Sequence, residues 1–224
     1  MADRAVVVVA GGGLPSPGSV ALLPPGALVV AADSGVDTAL ALGLGIDVVV
    51  GDLDSVTAEG LAAAEAAGAR IVRHPVAKDD TDLALALGEA VTLLGGTGEV
   101  VVLGGHGGRL DHLLAGILAL ADDAWAGLRL RAHLGPATVH VVHGPGERDL
   151  GGAVGDLLTL IPAGGVAEGV RTSGLRYPLR DEALAPASTR GVSNVIESLP
   201  ATVALRAGVL LAVLPGDEPD GGHL

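Results

Sequence analysis

The chain has 224 residues, 49% hydrophobic and 17% charged, enough for one large domain or two modest ones around a buried core. Its 13 basic and 26 acidic residues give a net charge of -13, which repels polyanions and excludes nucleic acid as the main partner. The absence of cysteine excludes disulfides and thiolate metal sites and suits a cytoplasmic protein, and no apolar run approaches the roughly 18 residues of a membrane helix, so a soluble protein is expected.

The run Ala5 to Ala10 is too short for a signal-peptide core and reads as a first β-strand. Further β-branched runs follow at Leu28 to Ala32, Val48 to Val50, Arg70 to Val72 and Val100 to Leu103. Between them lie helix-like stretches at Asp37 to Leu42, Ala58 to Ala67 and Thr81 to Leu94, with another at His112 to Leu120. This alternation predicts a parallel sheet with crossover helices. The third helix has the clearest period, with Leu83, Leu87, Ala90 or Val91, and Leu94 on one face.

After about Trp125 the texture becomes short strands punctuated by Gly and Pro: Arg129 to Leu134, Thr138 to Val142, Leu157 to Ile161, Glu168 to Thr172, Thr202 to Arg206 and Val209 to Leu214. Ser173-Gly174 and Ala207-Gly208 are expected to supply hairpin turns. The boundary is expected between Leu120 and Arg129, giving an α/β domain over residues 1–124 and an all-β domain over 125–224; the tail Gly216 to Leu224 is expected to fray.

Ligands of open parallel sheets bind beyond the carboxyl ends of the strands. Here those ends lead into Asp33-Ser34-Gly35, Gly51-Asp52-Leu53-Asp54-Ser55, Lys78-Asp79-Asp80-Thr81-Asp82 and the glycine-rich run from Gly104 to His112. In an extended segment Asp52 and Asp54 point the same way, and two adjacent anions with oxygen-only donors favour a hard cation such as Mg²⁺. The same residues equally describe a solvated turn with Asp and Ser as caps. Asp79, Thr81 and Asp82 read as helix caps, although Asp79 and Asp82 share a face if the helix begins by Asp79. Arg109, after the glycines, offers a planar fork to phosphate oxygens, while no Walker lysine follows and the spacing of His106 and His112 does not support a zinc site.

Taken in order, these segments resemble the thiamine pyrophosphokinases. Gly51 to Ser55 is similar to that family's Gly-Asp-Phe/Leu-Asp-Ser, Lys78 to Asp82 to its Lys-Asp-x-Thr-Asp, and Gly108 to His112 to its Gly-Arg-Leu-Asp-His. Asp33-Ser34-Gly35 resembles its Asp-Gly-Gly, Gly174 to Leu179 its Gly-Leu-x-Tyr/Trp-x-Leu, and Gly191-Val192-Ser193-Asn194 its Gly-Ile-Ser-Asn. The departures are Ser34 for Gly, Gly116 where Asn is frequent, and Ile46-Asp47 for Pro-Asp.

The resemblance implies a Rossmann-like N-terminal α/β domain with a parallel sheet, a C-terminal β-sandwich, and a homodimer whose active sites lie between the α/β domain of one chain and the β-domain of the other. It implies that ATP and thiamine yield thiamine diphosphate and AMP. By position, Asp52, Asp54 and Asp82 would hold Mg²⁺; Asp33, Ser34, Asp79, Thr81 and Arg109 would serve ATP; and Asp111, Tyr177, Ser193 and Asn194 would shape the thiamine side. Lys78, next to the acidic segments, is the candidate for steering phosphates, and a solvated surface lysine accounts for it equally well. Tyr177 is the expected platform for the cationic thiazolium, and Trp125 reads as core or hinge packing. Two other readings remain open: a pyrophosphokinase for another alcohol such as a hydroxymethylpterin, and a non-catalytic thiamine or nucleotide sensor.

Overall fold

Four consecutive valines flanked by alanines form β1 (Ala5–Ala10), and burial of Val6 to Val9 on both faces marks it as a central strand. Each such side chain contributes roughly 1.5–3 kcal/mol when fully withdrawn from water. The computed structural model describes residues 4–216; the tail beyond Gly216, expected to fray, lies outside the described residues, as do residues 1–3.

The chain divides into two compact units, Met1–Leu120 with Gly127–Gly135, and Ala121–Ala126 with Pro136–Leu224. The first unit runs β1, α1 (Pro17–Ala21), β2 (Leu28–Ala32), α2 (Gly35–Ala41), β3 (Val48–Gly51), α3 (Ala58–Ala66), β4 (Arg70–Arg73), α4 (Asp82–Leu94), β5 (Gly98–Leu103), α5 (Leu110–Ala119) and β6 (Leu128–Leu134). Its strands are all parallel, in the order β4-β3-β2-β1-β5-β6. The strand expected to open the β-rich half, β6, instead pairs with β5 from Gly98↔Leu128 to Leu103↔His133. Its alternation of apolar and basic residues suits a strand buried on one face in a parallel sheet as well as in a hairpin, so pattern alone does not assign it.

One face of this sheet, carrying Val7, Val9, Val29, Ala31 and Val49, packs against Val36 and Ala39 of α2 and Ala64 of α3. Helix α4 covers β1, β2 and β3 with Ala86, Leu87, Ala90 and Leu94 buried. Thr81 caps α4 by accepting a hydrogen bond from Ala84 N at 3.2 Å, and Gly95 ends it at φ 69°. The strand order reverses between β2-β1 and β1-β5, which opens a crevice at the carboxyl ends of β1 and β5.

The second unit contains β7 (Ala137–His143), β8 (Gly146–Asp149), β9 (Leu157–Ser173), β10 (Arg180–Leu184), β11 (Asn194–Val195), β12 (Thr202–Leu205) and β13 (Ala207–Leu214). They are antiparallel in the order β7-β13-β9-β12-β8, with β10 and β11 also pairing β9. The two strands expected at Leu157 to Ile161 and Glu168 to Thr172 are one 17-residue strand, whose first part pairs β13 and whose last part pairs β10 and β12. Ala207-Gly208 makes no hairpin either: β12 and β13 do not pair each other but flank β9 on opposite sides, and Gly208, at φ 85°, lies where a Cβ would meet Val166 O at 2.4 Å. Leu158, Leu160, Leu184, Ile196, Val203 and Leu210 lie in this unit's core, and Trp125 is buried. Among the described residues no helix is long and apolar enough to cross a membrane.

Candidate active site

Strands β2 and β3 and the start of α4 bring Asp33, Asp52 and Asp82 together. One carboxylate oxygen from each lies within 4.8 Å of the others. The close approach requires Gly51, at φ 146°: a Cβ there would sit 3.0 Å from Asp82 Oδ1 and 3.2 Å from Asp33 Cβ. Asp33 adopts φ 46°, a left-handed conformation that Asp tolerates, and its backbone N–H donates to Val50 O at 2.9 Å. Asp33 is buried, and that burial raises its carboxyl pKa; hydrogen bonds from Ser34 and Ser55 oppose the rise, while the charges of Asp82 and Asp54 add to it.

Lys78 sits among these acids, its Nζ 2.7 Å from Asp52 Oδ2 and 2.8 Å from Asp82 Oδ1. Donation by Lys78 lowers the Asp52 pKa, and burial raises it only in part. For Lys78 itself burial opposes the charged form, but the bonds to Asp52 and Asp82 outweigh it and raise the pKa.

Asp54 stands at the margin of this group. The segment Asp52-Leu53-Asp54 is a turn, with Leu53 at φ 65° and partly packed in the core, so alternation along a strand does not orient the two carboxylates. Asp54 N donates to Asp52 Oδ1 at 3.4 Å, and Asp54 Oδ1 accepts from Ser55 Oγ at 2.8 Å. Asp79 is not the cap: α4 starts at Asp82, so Asp79 is an exposed loop residue and the condition for sharing a helical face with Asp82 is not met. Thr81 is the cap of that helix.

The glycine loops after β1 and β5 are laced together at the crevice. Gly13 N donates to His106 O, and Gly105 N donates to Gly11 O, each at 2.8 Å. Ser34, which precedes α2, packs against the first loop so closely that a Cβ on Gly11 would lie 2.0 Å from its Oγ. Beyond the second loop Arg109 grips Asp111 through two bonds of 3.1 and 2.6 Å. Both are exposed, and the guanidinium holds the Asp111 carboxyl down to about 2.

In the second unit a cavity of about 380 Å³ is lined by Tyr177, Leu179, Ser188, Arg190, Val192 and Asn194 among others. Tyr177 is exposed, whereas Asn194 is buried and spends its amide on the backbone: Oδ1 accepts from Tyr177 N and Val195 N, and Nδ2 donates to Tyr177 O. Ser193 adopts φ 56°, and its N–H donates to Thr159 Oγ1 at 3.1 Å. Arg190, paired with Glu182 at 3.0 and 2.9 Å, carries no sequence signal beyond its nearness to Ser193 and Asn194.

Residues 21–128 match the family described as thiamin pyrophosphokinase, catalytic domain, and residues 139–210 match thiamin pyrophosphokinase, vitamin B1 binding domain. The chain belongs to the thiamin pyrophosphokinase family. It is 27% identical over 192 residues to the thiamine pyrophosphokinase of Bacillus subtilis, covering 85% of this chain and 88% of that protein. The crystal structure of the Bacillus subtilis thiamine pyrophosphokinase superposes with a TM-score of 0.81 at 26% identity, covering 96% of this chain and 100% of that one. Thiamin pyrophosphokinase from Candida albicans shares the fold, with a TM-score of 0.74 at 14% identity over 94% of this chain and 88% of its own. The thiamin pyrophosphokinase catalytic match spans the acidic cluster, Lys78 and Arg109; the vitamin B1 binding match spans Tyr177, Ser193 and Asn194. Beside the departure at Ile46, the retained Asp47 has a structural use, its Oδ2 accepting from Val29 N at 2.8 Å.

Proposed function

We propose that the protein transfers the pyrophosphoryl group of ATP to the hydroxyl of thiamine, yielding thiamine diphosphate and AMP. The observation that carries this reading is the convergence of Asp33, Asp52, Asp82 and Lys78 at the carboxyl edge of a parallel sheet, in a chain matched by both family domains. The first unit serves as a Rossmann-like nucleotide module and the second as a thiamine-binding β-sandwich.

Oxygen-only donors without cysteine or histidine fit Mg²⁺, which tolerates several retained waters and bridges carboxylates to phosphates. Asp52, Asp54 and Asp82 would hold it, with Asp33 closing the group. When bound, the ion supplies positive charge to oxygens of the transferring phosphates.

Thiamine's primary alcohol attacks the β-phosphorus in line, and AMP leaves. Arg109 exchanges Asp111 for phosphate oxygens and offers its fork to the charge that develops there. The joined glycine loops at the β1/β5 crevice allow the backbone to approach the nucleotide, with Asp33, Ser34, Asp79 and Thr81 lining the approach. Tyr177 presents its ring to the thiazolium, Ser193 and Asp111 provide polar contacts, and Asn194 holds Tyr177 in place. Positioning rather than covalent chemistry carries the reaction.

The assembly is a homodimer. Leu110, Leu114 and Leu118, spaced by four along α5, are 67%, 52% and 61% exposed, an apolar stripe of the kind buried between subunits. Sedimentation at micromolar concentration tests this, with a single species of twice the 21.9 kDa chain mass expected. The activity itself is tested by thiamine-dependent release of AMP from ATP.

A further inference from the structure

Three carboxylates whose oxygens approach within 4.8 Å repel one another strongly unless a cation lies among them. The chain provides one. The Lys78 side chain is 13% exposed and that of Asp52 11%, and the ammonium touches Asp52 Oδ2 and Asp82 Oδ1 together. We propose that Lys78 is the resident counter-ion of this cluster and an exchangeable one: it holds the acids together until a divalent ion binds, yields their oxygens to it, and turns its ammonium to the polyphosphate that the ion brings.

The inference rests on the metal reading above and goes a step further. A divalent ion that uses Asp52 Oδ2 and Asp82 Oδ1 meets the ammonium at the same two atoms, like charge against like. Lys78 lies before the first turn of α4, in the loop between β4 and that helix, so its flexible four-carbon stem can swing while Asp82 stays fixed by the capped helix. Lys78 is thus a positioning residue with opposite effects on two ligands: it competes with the bare metal and assists the nucleotide.

The test is a titration of the full-length protein with Mn²⁺ alone, free Mn²⁺ being read by electron paramagnetic resonance, for wild type, Lys78→Met and Lys78→Arg. Calorimetry with α,β-methylene-ATP in excess Mg²⁺ follows for each. Lys78→Met is expected to bind Mn²⁺ about tenfold more tightly and the nucleotide about tenfold more weakly, while Lys78→Arg stays near wild type for both. If the Met variant does not fold, Lys78→Gln takes its place. Wild type binding Mn²⁺ with Lys78→Met unchanged or weaker overturns the exchange. Wild type binding no Mn²⁺, with or without nucleotide, overturns the metal reading and the exchange with it.

Discussion

Asn194 clamps Tyr177 by its backbone, its amide oxygen 3.0 Å from Tyr177 N and its amide nitrogen 2.8 Å from Tyr177 O. A buried side chain thereby fixes the main chain under an exposed ring, so Asn194, expected on the thiamine side, holds the backbone of Tyr177, the ring proposed to meet thiamine. Asn194→Ala leaves both backbone groups without their partner, at a cost of about 1–3 kcal/mol. Urea denaturation is expected to show that loss together with a raised KM for thiamine. An unchanged midpoint contradicts the clamp.

The ring itself is a separate matter. A cation over an aromatic face is worth about 0.5–2 kcal/mol, so Tyr177→Ala is expected to raise KM for thiamine about 2- to 30-fold and leave KM for ATP in place. Tyr177→Phe retains the face and stays near wild type. Equal values for the Ala variant and wild type remove Tyr177 from the site.

For the acidic group, Asp54→Asn and Asp82→Asn are each expected to abolish Mg²⁺-dependent turnover, a loss of about 10²-fold or more, with circular dichroism unchanged. Near-normal turnover by Asp54→Asn limits the metal ligands to the three acids that the fold draws together, Asp33, Asp52 and Asp82.

The parts of this picture legible in the sequence are those where local pattern and tertiary role agree. β1 is a valine run and the Val29–Ala32 part of β2 a Val-Ala run, both buried, and α4 joins a Thr81 cap to a 3.6-residue apolar period. Strands β8, β10 and β11 left no such trace, since Gly146–Asp149 and Arg180–Leu184 are short and largely polar, and pairing with β12 and β9 makes them strands. The acidic segments stand out as motifs, but Asp33 joins Asp52 and Asp82 only through the side-by-side order of β2 and β3, information held in the sheet. The turn at Leu53 depends on a left-handed residue that no composition rule places at a leucine.

His133 on β6 is 3% exposed, and desolvation, aided by the charge of Arg131, lowers its pKa to about 4. The unfolded chain takes up this proton near pH 6.5 and the folded protein resists it to about pH 4, so the unfolded state binds more protons in that window. Stability is therefore complete above pH 6.5 and falls as pH drops towards 4, by on the order of 3 kcal/mol from this group. His133→Gln is expected to flatten that part of the profile relative to wild type. Parallel profiles for the two proteins contradict the assignment.

The proposed transfer is read most directly from AMP release from ATP and Mg²⁺ with thiamine as acceptor, beside a parallel reaction with a hydroxymethylpterin, and with the thiamine product weighed by mass spectrometry. AMP is expected only with thiamine, matched one for one by thiamine diphosphate. Release with the pterin alone, or thiamine binding without any AMP, contradicts it.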